Sequence, residues 1–206
     1  MKRLLFLVIA AFPMLLLAQN DATALLDRAV AALNADAALQ MEYTYSLYDE
    51  DGTLVQQDCG IMKLDGNRYS LLMENLKVWC DGKSQWSYMR DIDEIYITDA
   101  ASDEAQNFSP LFIMEKYRRE CAATMQHKGS VTVVTLVADS PESQVDKVVL
   151  EFDKSLLRLV AMSVYIGQQG YIDVKLNNYA SKCSFSDSVY SCPVENFPTA
   201  EVVDMR

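Results

Sequence analysis

The chain reads as an α+β protein built on a strongly curved antiparallel β-sheet, an incomplete barrel, with a few helices covering its open side. Three features point there. Helical periodicity is confined to two stretches, one after Asp21 and one after Pro110. Nearly all the rest is strand-like, in short runs rich in alternating apolar and polar residues. Asp-Gly and related turn pairs separate those runs, so hairpins follow one another in series. Helices that stand apart from a run of strands fit an antiparallel sheet. A twisted sheet of many strands tends to curl, which leaves an open side for helices to cover.

The first segment is read as a leader. Lys2 and Arg3 precede an apolar run from Leu4 to Leu17, and small Ala18 stands before Gln19-Asn20. That is the layout of a secretory signal peptide over residues 1–18, and Pro13 interrupts a run already short for a membrane span. No Cys lies at the junction to take a lipid anchor and no second spanning stretch follows, so a soluble, exported product is expected. Residues 19–206 then suit a single domain. Asp21 can cap a helix in which Ala22, Leu25, Leu26, Ala29, Val30 and Leu33 share one face. Plain packing over one end of the sheet and the lining of a lipid pocket both remain open for that face.

Strands follow almost without a break. Glu42 to Tyr48 alternates, Asp49 to Gly52 turns, Thr53 to Leu64 runs on to Asp65-Gly66-Asn67, and Arg68 to Met73 returns. A calcium loop at Asp49 is rejected, because Gly52 falls at the fourth position rather than the sixth and no Glu closes the loop. The densest signal is Lys77 to Thr98. Asp81-Gly82 reads as a two-residue hairpin turn that sets Trp79 across from Ser84 and diagonal to Trp86. Trp79, Trp86 and Tyr88 then share one apolar face. A second turn, Arg90 to Glu94, leads to the strand Ile95 to Thr98.

Beyond the polar segment Ala100 to Ser109, Ser109-Pro110 reads as a helix cap and first residue. Leu111, Phe112, Ile113 and Met114 cannot all face a core from one amphipathic helix, so part of that turn is expected to meet a second surface or a ligand; a helix wedged deep in the fold is the other reading. Strand patterns resume at Val131 to Val137, Lys147 to Phe152, Leu156 to Tyr165 and Tyr171 to Leu176.

Totals narrow the function. With 29 acidic against 18 basic residues the formal net charge is −11, a surface that repels nucleic acid and anionic headgroups. The five cysteines, Cys59, Cys80, Cys121, Cys183 and Cys192, lie in the exported part, and their odd number leaves one unpaired. Cys183 and Cys192 flank a short loop and are the best candidates for a disulfide, worth about 2–3 kcal/mol in the chain-entropy picture.

The residues Asp81, Gly82, Lys83, Trp86 and Tyr88 resemble the central signature of the LolA family of periplasmic outer-membrane lipoprotein carriers. The aromatic first strand, Gly60, Arg68-Tyr69, the Pro110 turn, and the ending Phe197-Pro198 with Glu201 to Arg206 extend the resemblance. It implies a LolA/LolB-like incomplete barrel holding acyl chains beneath a lid. On that basis Tyr69, Leu71, Met73, Trp86, Leu111, Phe112 and Met114 are expected at the acyl chains, with Leu25, Leu26 and Pro110 on the covering helices. The implied partners are acylated lipoproteins, an ATP-driven release complex in the inner membrane and an outer-membrane acceptor, served by a monomer without cofactor or metal. The chain departs from the family at Leu64-Asp65-Gly66-Asn67-Arg68, where the loop has no Pro beside its Arg. Residues Ala180 to Glu195 match nothing in the family pattern.

Catalytic signals are sparse. The single histidine, His127, stands in a polar stretch without a motif, and the carboxylates Asp91, Asp93 and Glu94 fit a solvated turn. Flexible methionines suit both core filling, the reading for most of them, and a surface that accepts varied apolar ligands, the role the resemblance implies for Met73 and Met114. The leading expectation is therefore a non-enzymatic carrier of lipoproteins from inner to outer membrane. A lipid or lipoprotein sensor on the same fold is the alternative, and a structural interaction module with a filled core the third.

Overall fold

A computed structural model describes residues 12–35, 38–102, 105, 110–140, 143 and 145–206; the side chains of 12–20, 34–35 and 110–112 fall outside that description. The leader assigned to residues 1–18 therefore lies largely outside it. Two α-helices and twelve strands make up most of the described chain. The first helix, α1, spans Phe12–Ala35. The second, α2, spans Pro110–Glu120 and has six strands before it and six after it. Asp21 is thus inside α1 rather than its cap, since the backbone is already helical nine residues earlier. Among the described residues no helix is long and apolar enough to cross a membrane.

The strands are β1 (Leu39–Tyr48), β2 (Leu54–Asp65), β3 (Arg68–Leu72), β4 (Leu76–Cys80), β5 (Ser84–Met89), β6 (Glu94–Asp99), β7 (Cys121–Lys128), β8 (Val131–Ala138), β9 (Lys147–Asp153), β10 (Leu159–Tyr165), β11 (Tyr171–Ala180) and β12 (Glu201–Asp204). They make one sheet in the order β12-β6-β5-β4-β3-β2-β1-β11-β10-β9-β8-β7. Every ladder is antiparallel except β12 on β6. The two edge strands do not pair, so the barrel stays open.

One face of this sheet wraps around α1. Leu25, Leu26, Ala29 and Val30 of α1, Met114 of α2 and inward residues of β1–β4 and β7–β11 form a single buried apolar cluster. Nine adjacent strands laid flat would span about 40 Å, far wider than a helix of about 10–12 Å. Only a curled sheet brings them all to one helix. Fully buried Leu26 and Met114 each contribute roughly 1.5–3 kcal/mol to that closure.

The register of the aromatic hairpin differs from the two-residue turn. Cys80 pairs with Gln85 and Trp79 directly with Trp86, and the Asp81 amide donates to the Ser84 carbonyl at 3.2 Å, so Gly82 and Lys83 stand at the turn rather than Asp81 and Gly82. The Asp81 carboxylate accepts the Lys83 and Ser84 amides at 2.8 Å each, while Gly82 takes φ of 88°. A side-chain acceptor thus holds the turn one residue further along the chain, which moves the pairing by two. An even shift preserves faces, so Trp79, Trp86 and Tyr88 still share one.

Two elements depart further from the sequence reading. β7 was not expected, because its residues are small or polar; as an edge strand it pairs on one side alone and exposes much of its length. The strand expected from Leu156 begins at Leu159, because Leu156 and Leu157 belong to the β9–β10 turn and Leu157 has a left-handed φ of 54°.

Candidate ligand interior and its outer strap

The pleat sorts the expected ligand residues between the two faces. Tyr69, Leu71 and Met73 alternate along β3 and its end and point inward, where they join Leu25, Leu26 and Met114 in the interior cluster. Met114 is 0% exposed. Trp86 does not join them. It pairs with Trp79 on the outer face, within a second cluster of Trp79, Ile95, Cys192, Tyr88, Ile97 and Phe197. Tyr69 pairs with Cys80, and Trp79 is that strand's next residue, so the pleat alone turns both tryptophans away from the interior. Pro110, Leu111 and Phe112 open α2, and their side chains lie outside the described set.

Tyr69 has a structural partner rather than an open one. Its hydroxyl lies 2.7 Å from the Ala105 carbonyl oxygen and also contacts Gln85 Oε1. Gln85 Nε2 in turn donates to Ser87 Oγ at 3.3 Å. These polar side chains are buried, and burial raises the Tyr69 phenol well above its ordinary range, with Cys80 adding to the shift. The bond ties Ala105, between β6 and α2, to the sheet. Tyr43, pairing with Gly60 across β1 and β2, leans over that glycine so closely that a Cβ there would collide with its hydroxyl. Gly60 thus makes room for an interior aromatic ring.

The cover consists of α1 and α2, which pack on each other and on β7, with α2 also on β8. Arg118 of α2 forms an ion pair with Asp27 of α1. The hollow expected beneath the Pro110 segment is closed at its described residues by Met114, Leu26 and their neighbours. Open space lies instead at the far end of α1. A pocket of about 170 Å³ is bounded there by Ala29 and Ala32 of α1, Met41, Phe152, Leu157 and Arg158, among others. Sites for drug-sized ligands usually measure about 300–1,000 Å³. At that size the pocket is too small for a long apolar chain unless α1 or α2 moves.

The outer face is crossed by a strap, residues 181–206. Its Cys183 amide donates to the Ala38 carbonyl at 2.7 Å. Arg68 holds Asp187 at 2.6 Å, contacts Asp65 and lies 4.7 Å over the Tyr190 ring. Arg68 consequently serves the strap rather than a lid on the interior. Phe197 packs on Tyr88 at 4.3 Å and Trp79 at 5.9 Å between ring centroids, and β12 then adds to β6. Cys183 and Cys192 are both free thiols, so the expected disulfide is absent. Cys183 Sγ donates to the Ala180 carbonyl at 3.6 Å, whereas Cys192 is drawn into the Trp79 cluster.

His127 sits on edge strand β7 with Nδ1 3.0 Å from Thr132 Oγ1. Asp93 accepts the Tyr88 hydroxyl at 3.1 Å in the β5–β6 turn. Neither group reaches the interior cluster.

An open, curled antiparallel sheet with two helices over its open side defines the fold class, and the sequence places the chain in a family of that class. Residues 18–168 match the family described as outer membrane lipoprotein carrier protein LolA, and the chain belongs to that family. The strap lies beyond the matched region. No curated protein matches the chain. Among solved structures, an uncharacterized conserved protein from Thermus thermophilus superposes with a TM-score of 0.58 at 11% identity, over 89% of this chain and 99% of that one. The lipoprotein LppX of Mycobacterium tuberculosis gives 0.50 at 9% identity, over 81% and 98%. A LolA superfamily protein of Nitrosomonas europaea gives 0.45 at 8% identity, over 84% and 98%. At such identities the likeness is one of fold.

Proposed function

We propose that this protein is a periplasmic chaperone that shelters the acyl chains of lipoproteins and carries them from the inner to the outer membrane. The observation that supports this most is the interior itself: one continuous apolar cluster inside an unclosed sheet, covered among the described residues chiefly by α1 and α2. Each CH₂ withdrawn from water is worth about 0.8 kcal/mol, so acyl chains do not cross an aqueous gap unaided. Displacing α2 exchanges helix-to-sheet contacts for acyl-to-sheet contacts of the same apolar kind. Such an exchange is nearly balanced, which suits a protein that must both accept and release. Tyr69, Leu71, Met73 and Met114 are the interior contacts in this reading, and Leu111 and Phe112 of the first turn of α2 are assigned to the acyl chains on the family resemblance. Leu25 and Leu26 are the α1 side of the cover.

Loading against such a balance calls for an ATP-driven release complex in the inner membrane, and delivery for an acceptor in the outer membrane. The carrier acts as a monomer, exported by its leader, and binds rather than catalyses. The test is release of a lipoprotein from spheroplasts of the host. Wild-type protein should bring it into the supernatant, and Phe112→Glu, which places a charge on the covering helix, should abolish release while circular dichroism stays native. Undiminished release by that variant counts against the lid assignment. Absence of acylated protein from material purified from its host counts against the carrier itself.

A further inference from the structure

The pocket at the end of α1 has a chemistry distinct from the rest of the interior. Its walls are aliphatic and aromatic, from Ala29, Met41, Phe152 and Leu157 among others, yet Arg158 stands in the lining beside Tyr179. The guanidinium carbon lies 4.5 Å from the Tyr179 ring centroid, a stacked position that fixes the cation without neutralising it. Arg158, like Arg28 and Arg119, forms no ion pair among the described residues, and of these three it is the one that lines the pocket. Such an arginine, at an apolar pocket of a chain with net charge −11, is poised for an external anion.

The adjoining turn is built to hold that geometry. Asp153 accepts the Ser155 amide and hydroxyl and the Leu156 amide at 2.6–2.8 Å. Those bonds, the Ser155 hydroxyl foremost, hold the Asp153 carboxyl below its usual range, and the charge of Arg158 adds the least to that shift. The nearest carboxylate on this turn is thus committed to the backbone. Leu157, in the pocket wall, is kept at φ 54°, a region that costs a β-carbon residue energy and survives where its surroundings impose it. The Asp153 amide donates to the Arg158 carbonyl at 2.8 Å and closes the turn.

We propose that this pocket is a binding site for a single-chain amphiphile with an anionic head, a carboxylate or phosphate, whose head group meets Arg158 and whose tail enters beneath α1. At about 170 Å³ the closed pocket compares with an engineered cavity of about 150 Å³ that takes one benzene ring. It accepts roughly the first six carbons of a chain, and longer tails require α1 to shift from the sheet. The site adds a ligand class to the carrier reading and does not depend on it: its failure leaves lipoprotein release unchanged, and failure of the carrier leaves these titrations unchanged.

The test is calorimetric titration of the full protein with decanoate, decyl phosphate and decanol, each below its aggregation concentration. At least one of the two anions should bind about tenfold or more tightly than decanol. Arg158→Gln should remove that gap while leaving decanol binding in place, and Arg158→Lys should restore part of it. Ala32→Phe, which fills the pocket from α1, should weaken all three, with native circular dichroism showing that the fold persists. A gap for decanoate alone assigns a fatty-acid ligand, and a gap for decyl phosphate alone a phosphate-headed lipid. Equal binding of decanol and both anions, or a gap that survives Arg158→Gln, overturns the proposal.

Discussion

Arg118 of α2 is ion-paired with Asp27 of α1, so the two helices that close the interior are fastened to each other as well as to the sheet. The side chains are 25% and 52% exposed, and solvent limits such a pair to about 1 kcal/mol or less. Arg118→Ala should therefore lower global stability only slightly, yet speed amide exchange along α2 and raise binding of a hydrophobic dye. Exchanging the charges with Asp27→Arg and Arg118→Asp together should restore protection. Equal exchange rates in wild type and Arg118→Ala would remove the fastening role.

Tyr69 tests the second tie of the cover. Tyr69→Phe keeps the ring but leaves the Ala105 carbonyl without its 2.7 Å partner and deprives Gln85 of a bond, both in a buried setting. Stranding such groups costs about 1–3 kcal/mol, which urea denaturation will read as a lower midpoint with an unchanged slope. An unchanged midpoint would mean that the hydroxyl bonds carry no net stability.

The strap is anchored most strongly by its ring contacts. Phe197→Ala removes the packing on Tyr88 and Trp79 and should cost about 2 kcal/mol, less than a fully enclosed ring because the side chain is only half-buried. Trypsin should then cut after Lys182, at the start of the strap, faster than in wild type. Resistance equal to wild type would place the anchoring at Arg68 and Asp187 instead.

Burial pushes the Cys192 thiol up to about 11 from the ordinary 9.0. The folded state keeps this proton through a window in which the unfolded chain has lost it, so unfolding there releases a proton and stability falls as pH rises. The contribution is whole below pH 9.0 and disappears toward about 11. At pH 8 iodoacetamide should label exposed Cys59 first and reach buried Cys80 and Cys192 only as the protein unfolds, as peptide mass spectrometry will show. Rapid labelling of Cys192 in the native state would contradict its place under the strap.

Much of this was legible in the sequence because period-two alternation reports faces directly. The sharing of one face by Trp79, Trp86 and Tyr88 followed from the pleat even though the turn sits one residue beyond Asp81-Gly82 and the pairing is shifted by two. What alternation does not say is which face is inside. Trp86 was expected at the ligand through family likeness, yet Tyr69, Leu71 and Trp86 divide between the faces once Trp79 pairs with it. The strap that covers the tryptophans lies beyond the region matched to the family; its sequence signals were the ending from Phe197 and the two cysteines, which do not bond, and neither showed that it crosses the outer face. Arg158 was passed over because a lone arginine after two leucines carries no pattern; its stacking on Tyr179 depends on β11 lying beside β10, a relation 21 residues away in sequence and visible only in three dimensions.

The central claim is that α2 leaves the interior when an acyl chain enters. Native mass spectrometry of the purified protein with a synthetic diacylated lipopeptide, combined with hydrogen exchange of α2, tests it most directly. The account predicts a one-to-one complex that requires the acyl chains, in which amides of Ile113 to Glu120 exchange faster than in the free protein. No complex, or a complex in which α2 stays as protected as before, would contradict it.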